Sequence, residues 1–407
     1  MYHVGSRSVI EPVERSIPVK SRLYFDVRDI PSAARSGLSA RKIWIFWKAL
    51  LLSWLIWLVS VYLGFLAAGS DLSSRWETSR LLPLPGGLFW ESWPAVLLLA
   101  VGALLMLYVM MAAATKVSRI TFEQIRGDDF FSGRDASAFL REHRTPLIST
   151  PLAILCGLAL AVLLGFVLGL FGRIPGVGPV LVGILSVPAW GLALLTVLLG
   201  AGFLACFLLV PSIVACTKGD TFESLFELYS TITAQPWRVL LYWITGFVSR
   251  LLGLALFMVF ASAAVAFLSW TVSLGMGNQG LESTLSSGLQ MVAPEAIPWF
   301  ANAFNPVAAV APGQAWTGLA GLLAGLSGVA ILLTVKAYWL SSGTSAWTLI
   351  YLAVRHRKDG EDLLRRADDE DQREFEKLYG EIPEEPAAAE PVEADTRSGG
   401  GTGGSDG

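Results

Sequence analysis

The sequence predicts an all-α polytopic transmembrane bundle, six spans arranged as three hairpins, each hairpin led in by an amphipathic elbow helix on the cytoplasmic side. Three observations predict it. The chain is 54% hydrophobic and only 15% charged, too apolar for an ordinary water-soluble domain. Its apolar residues gather into runs at least as long as the roughly 20 residues needed to cross a bilayer. Its Lys and Arg gather between those runs and before the first of them, the distribution that marks cytoplasmic segments.

The first 41 residues are polar and basic, and no short apolar core with a small-residue cleavage site opens the chain, so no removed leader is expected. The span domain is predicted over 42–355. Span one, about 43–68, carries Trp44, Trp47, Trp54 and Trp57 on one helical face. The first pair suits an interface, and the second lies about 15 Å deeper, where helix packing is the expected role. The loop that follows holds Pro83, Pro85, Gly86 and Gly87, then an aromatic cluster at Phe89, Trp90 and Trp93.

Span two, about 94–114, runs into Lys116, Arg119, Arg126, Arg134, Arg141 and Arg144, which places that stretch on the cytoplasmic side. Span three, about 152–171, ends at the turn RIPGVGPV. Those glycines lack both the preceding strand and the spacing of a phosphate loop, so turn geometry explains them. Span four occupies much of 181–216, with Pro188 and Pro211 as kink positions.

The clearest elbow precedes span five. Phe222, Leu225, Phe226, Tyr229 and Ile232 recur at helical spacing, and Glu223, Ser224, Glu227, Ser230 and Thr231 fill the opposite face. This pattern predicts a helix lying on the membrane, capped by Asp220 and ended by Pro236. Span five then continues to about residue 273, longer than a bilayer requires, and tilt, a break or protrusion must absorb the excess. The stretch 275–313 has Glu282 and Glu295 but no Lys or Arg, which fits the outside, and its prolines predict short pieces against the outer leaflet. Span six lies within 316–354. Its Gly318, Gly321, Gly325 and Gly328 allow close helix contact, while the run Ser341 to Ser345 could break it, hydrogen-bond across helices or only satisfy local carbonyls. Beyond it a short acidic helix is predicted over 356–380, and a disordered Pro-, Glu- and Gly-rich tail over 381–407.

The elbow pattern recurs as DIPSAARSGLSARKIWIF, GRDASAFLREHRTPLIST and GDTFESLFELYSTITAQPWR, and the even number of spans predicts that both termini are cytoplasmic. QPWRVLLY, GRIPGVGPVLVG and SSGTSAWTLIYLAVRHRKDG, within most of 130–360, resemble a group of bacterial six-helix membrane proteins in which an interfacial helix precedes a Trp- or Arg-marked span. The resemblance implies a fold and a bacterial inner membrane; that group carries no assigned activity.

The chemistry-bearing residues exclude more than they propose. His3, His143 and His356 lie outside the spans, so facing-helix haem ligation and a membrane Ser/His dyad are absent, and no H-E-x-x-H occurs. No predicted span has Asp or Glu at its centre, which argues against aspartyl proteolysis and a carboxylate ion relay. Ser39 to Lys42 matches S-x-x-K without companion motifs, and Cys156, Cys206 and Cys216 lack metal or disulfide spacing. Three cations remain in apolar surroundings: Lys48, Arg250 and Lys336. Lys48 can snorkel to the cytoplasmic edge. Arg250 and Lys336 are the candidate contacts for an anion or lipid phosphate, with backbone carbonyls as the alternative partners.

The reading is a non-enzymatic integral protein of the inner membrane, a scaffold or lipid-associated accessory factor. Its expected partners are membrane lipid and a protein bound through the acidic cytoplasmic tail, with no cofactor, metal or nucleic acid. The alternative is a permease or channel for an anionic or lipidic solute that uses Arg250 and the Gly-rich sixth span; a membrane enzyme ranks last.

Overall fold

A computed structural model describes residues 23–292, 315–360 and 362–366. The tail at 381–407, most of the acidic helix predicted over 356–380, and the proline-divided stretch from Pro294 to Pro312 lie outside the described residues. The chain divides into two units, and everything below concerns the first, which ends at Glu361.

The described residues form helices and no strand. In order they are α1 (Ser32–Ser36), α2 (Ala40–Ala67), α3 (Leu72–Ser79), α4 (Trp93–Arg126), α5 (Gly133–Glu142), α6 (Thr145–Phe171), α7 (Val177–Thr217), α8 (Thr221–Ala234), α9 (Pro236–Met276), α10 (Asn278–Val292) and α11 (Ala315–Asp359). Six of them, α2, α4, α6, α7, α9 and α11, are long and apolar enough to cross a membrane. The chain is an all-α, multi-pass integral membrane protein. A short helix, α1, α5 or α8, stands immediately before each hairpin.

The local signals explain the short helices. Ser132 accepts from the N–H groups of Arg134 and Asp135 while the Asp135 carboxylate reaches back to the Ser132 N–H, a complete capping box that starts α5. Asp220 accepts from Glu223 N–H at 2.9 Å and starts α8. Gly127, at φ 107°, ends α4 in the left-handed conformation that a side chain would oppose.

The long helices outrun the predicted spans. α4 continues twelve residues past 114, because polar residues there still complete helical and inter-helical bonds. Thr115 and Thr121 donate to the carbonyls of Met111 and Val117, and Glu123 pairs with Arg119 at 2.5 Å and Arg126 at 2.8 Å. α9 has 41 residues and α11 has 45, so each is about 60 Å or more long at 1.5 Å per residue. Neither breaks. In the serine-rich run of α11 the Ser342 and Thr344 hydroxyls donate to the carbonyls of Trp339 and Leu340 without opening the helix.

α11 is the axis of the bundle: it packs against α1, α2, α4, α7, α8, α9 and α10. Its second half is buried, with Tyr338, Ser341, Ser342, Ser345, Thr348 and Tyr351 all at 0% exposure. Its first half meets α10 through Gly288, where a Cβ would lie 2.8 Å from the Gly321 carbonyl oxygen. The Gly-rich stripe therefore serves the α10 contact. Burial is concentrated at one end of the molecule. On α4 it covers Met111 to Glu123 while Leu104 and Leu105 stay exposed, and on α7 it covers Leu209 to Cys216 while Ile184, Val187 and Val197 stay exposed. Lipid supplies no hydrophobic drive to bring such outer surfaces together, whereas polar groups must find partners.

Residues 23–37 run between α9 and α11. Ile30 and Ala33 are fully buried against Tyr242, Ala346 and Ile350. Side chains from both helices donate to the carbonyls of this strap: Ser249 to Pro31 at 3.0 Å, Tyr338 to Ala34 at 3.3 Å, Ser341 to Gly37 at 3.0 Å and Arg357 to Phe25 at 3.1 Å. The loop after α2 is secured in the same way. The indoles of Trp54 and Trp57 donate to the carbonyls of Leu81 and Pro83, each at 3.0 Å, and the Tyr62 hydroxyl to that of Arg80 at 2.6 Å. The deeper tryptophan pair thus supplies donors to non-helical backbone folded along α2.

Candidate functional site

Arg250, on α9, lays its guanidinium 4.0 Å from the centroid of the Trp339 ring and donates to the Trp339 carbonyl at 3.0 Å. It lies flat over Gly343: a Cβ there would sit 2.6 Å from Nη2 and 2.8 Å from Cζ. A backbone carbonyl and an aromatic face thus receive this charge. Its depth also differs from the sequence count. Counted from Trp237, Arg250 falls about 20 Å along the helix. Yet its partners flank Ser341, whose hydroxyl bonds Gly37 just before α2 begins, so Arg250 is level with the start of α2. α9 simply begins further out on that side than α2 does. Lys336 is exposed on α11, next to Ala337, which is buried with Ile45, Ala49 and Ala113. Among the described residues no hydrogen bond, ion pair or ring contact joins it to Arg250.

The structure brings together charges that the sequence does not pair. α8 turns its polar face inward: Ser224, Glu227 and Thr231 are buried, while Phe222 and Phe226 are 76% and 63% exposed. Glu227 forms a close ion pair with Arg355 and lies 3.5 Å from Lys358 Nζ. Lys358 also donates to the Ser230 hydroxyl at 2.7 Å, and Asp359 lies 2.9 Å from Arg355 and 3.2 Å from Lys358. The i,i+4 spacing of Arg355 and Asp359 is visible in the sequence. The partnership with Glu227 spans 128 positions and is not.

A second polar cluster ties α4, α7 and α11. Arg119 donates to the Ala215 carbonyl at 2.9 Å, pairs with Glu123, and stacks over Phe139 of α5 at 4.7 Å. Hydroxyls bridge Ser118 to Ser212 at 3.3 Å, Ser212 to Thr348 at 3.4 Å and Thr121 to Ser345 at 3.2 Å. On the strap, the Asp26 carboxyl is held below the usual carboxylate range by the Val27 N–H at 2.7 Å, with Arg357 at 3.1 Å acting in the same direction against partial burial. These groups satisfy one another, which is what a structural network needs and a substrate site does not.

One open feature is apolar. A groove of about 500 Å³ lies between α6 and α7, lined by residues including Ala161, Leu164, Leu168, Leu185, Pro188 and Leu192, and no cation borders it. Among the described residues no three His, Cys, Asp or Glu side chains are grouped to hold a metal ion. Comparison with protein families, with characterised proteins and with solved structures gives no match to this chain.

Proposed function

We propose that this protein is a non-enzymatic scaffold or lipid-associated factor of a bacterial inner membrane, with both termini in the cytoplasm. One observation carries the reading: Arg119, Glu227, Arg250 and Arg355 are consumed by each other, by neighbouring side chains and by backbone at one end, while the apolar faces at the other end stay exposed. A permease for an anion needs a cation facing a water-filled path, and Arg250 is stacked on Trp339 and Gly343. The acidic composition of 381–407 suits a protein partner with a basic face.

The test is extraction of the full chain in native-lipid discs, with identification of what is retained, and reconstitution into sealed vesicles. Retained lipid or a stoichiometric protein partner, with no solute movement, is expected. Flux of an anionic solute that disappears in Arg250→Leu overturns the reading.

A further inference from the structure

We infer that Lys48 and Lys116, with Trp44 and Trp47, form a binding site for the phosphate headgroup of an anionic phospholipid. The inference deepens the lipid-associated reading above and rests on it.

Most of the buried or half-buried cations at this end of the bundle have partners. Arg41 donates to the carbonyls of Asp129 and Phe131 at 2.6 and 2.9 Å, Lys42 donates to the Ser36 hydroxyl at 2.7 Å, and Arg119, Arg250, Arg355 and Lys358 are bonded as described. Lys48 and Lys116 are different. Among the described residues neither has a hydrogen bond or a carboxylate partner; Lys48 Nζ lies over the Trp44 ring, 5.7 Å from its centroid.

The two lysines lie on facing stretches of two packed helices. They lie on α2 and α4, which pack along each other, and their sequence neighbours Ala49 and Val117 are buried in one cluster with Phe46 and Ala113. Lys48 is exposed and Lys116 half-buried. Lys48 is eight residues inside the start of α2 and Lys116 ten residues before the end of α4, about 12 and 15 Å along their helices. Two lysines without a carboxylate partner beside an apolar wall favour an anion.

The surroundings select its chemistry. Trp44 and Trp47 stack at 5.2 Å, the aromatic pairing that seats at a headgroup boundary, and Trp44 is 56% exposed. Beyond them along α2, Leu51, Leu52 and Leu55 are exposed and apolar. A ligand that satisfies both halves carries a phosphate at one end and hydrocarbon at the other, which is a phospholipid of that leaflet.

The experiment uses the purified full chain and measures lipid binding by native mass spectrometry with phosphatidylglycerol and phosphatidylcholine as probes. Phosphatidylglycerol should bind in preference, and the double variant Lys48→Gln, Lys116→Gln should weaken it roughly 30-fold, at about a factor of five per lysine. Lys48→Arg, Lys116→Arg keeps the charge and should keep the preference, which separates charge loss from misfolding. Unchanged phosphatidylglycerol affinity in the Gln variant overturns the site. Full displacement of the lipid by inorganic phosphate overturns the lipid as its source. Either result leaves the functional reading standing, whereas solute flux in vesicles defeats that reading independently of these two lysines.

Discussion

Arg250 was conspicuous in the sequence because an arginine in an apolar helix must be compensated, and its neighbours give it nothing. Its compensation comes from Trp339, 89 positions away, and from the space left by Gly343. A glycine in a run of serines reads as a weak point in a helix; only the packed bundle shows that it makes room for a guanidinium. Gly343→Ala should push that group off the Trp339 ring and carbonyl, costing about 1 to 2 kcal/mol. In an Arg250→Ala background the same change should cost close to nothing, and thermal melts of the four proteins in detergent measure the coupling. Equal costs in both backgrounds would show that the guanidinium is not what Gly343 accommodates. Lys336 teaches the reverse: depth along the sequence singled it out, yet it lies exposed without a place in that contact.

At the scale of the element, the elbow helices were legible as helices. Cap residues, helical spacing and a following proline mark α8 before any coordinates are known. Which face turns inward was not legible from those signals. In water Phe222 and Phe226 would be buried; against lipid they can face outward, and Glu227 turns in to meet Arg355 and Lys358. Glu227→Gln removes the carboxylate shared by two largely buried cations. It should destabilise the protein by about 3 kcal/mol, read as a lower melting midpoint, because an unpaired buried charge costs more than the pair returns. An unchanged midpoint would mean that Asp359 alone suffices for both. The end of α4 was misjudged for a related reason: hydropathy locates the lipid-crossing part of a helix, and buried hydroxyls and ion pairs then carry the helix further.

For the whole molecule, the six apolar helices of the described residues could be counted from apolar runs alone, and the proposed hairpin scheme, with its even number of crossings, would put the two ends of the chain on one side. Reporters fused before Met1 and after Gly407 should therefore give the same compartment signal in intact cells, with a reporter in the loop after α2 giving the opposite one. Signals that differ between the two fused ends would break the hairpin scheme. What could not be counted was the centre of the bundle, since every apolar run looks alike to a hydropathy scale. The polar stripe of α11 makes it the axis, and that stripe reads as a sequence defect until α1, α4 and α7 are seen to bond to it.

That axis emerges from the ribosome after all five of the other crossings. Until it does, the strap ahead of α2 lacks one wall of its slot, and the hydroxyls of Thr121 and Ser212 lack their cross-helix partners on Ser345 and Thr348. Assembly thus waits on its keystone, and a chain halted before residue 315 would present these polar groups unsatisfied within lipid, a readable mark of an unfinished product for membrane quality control.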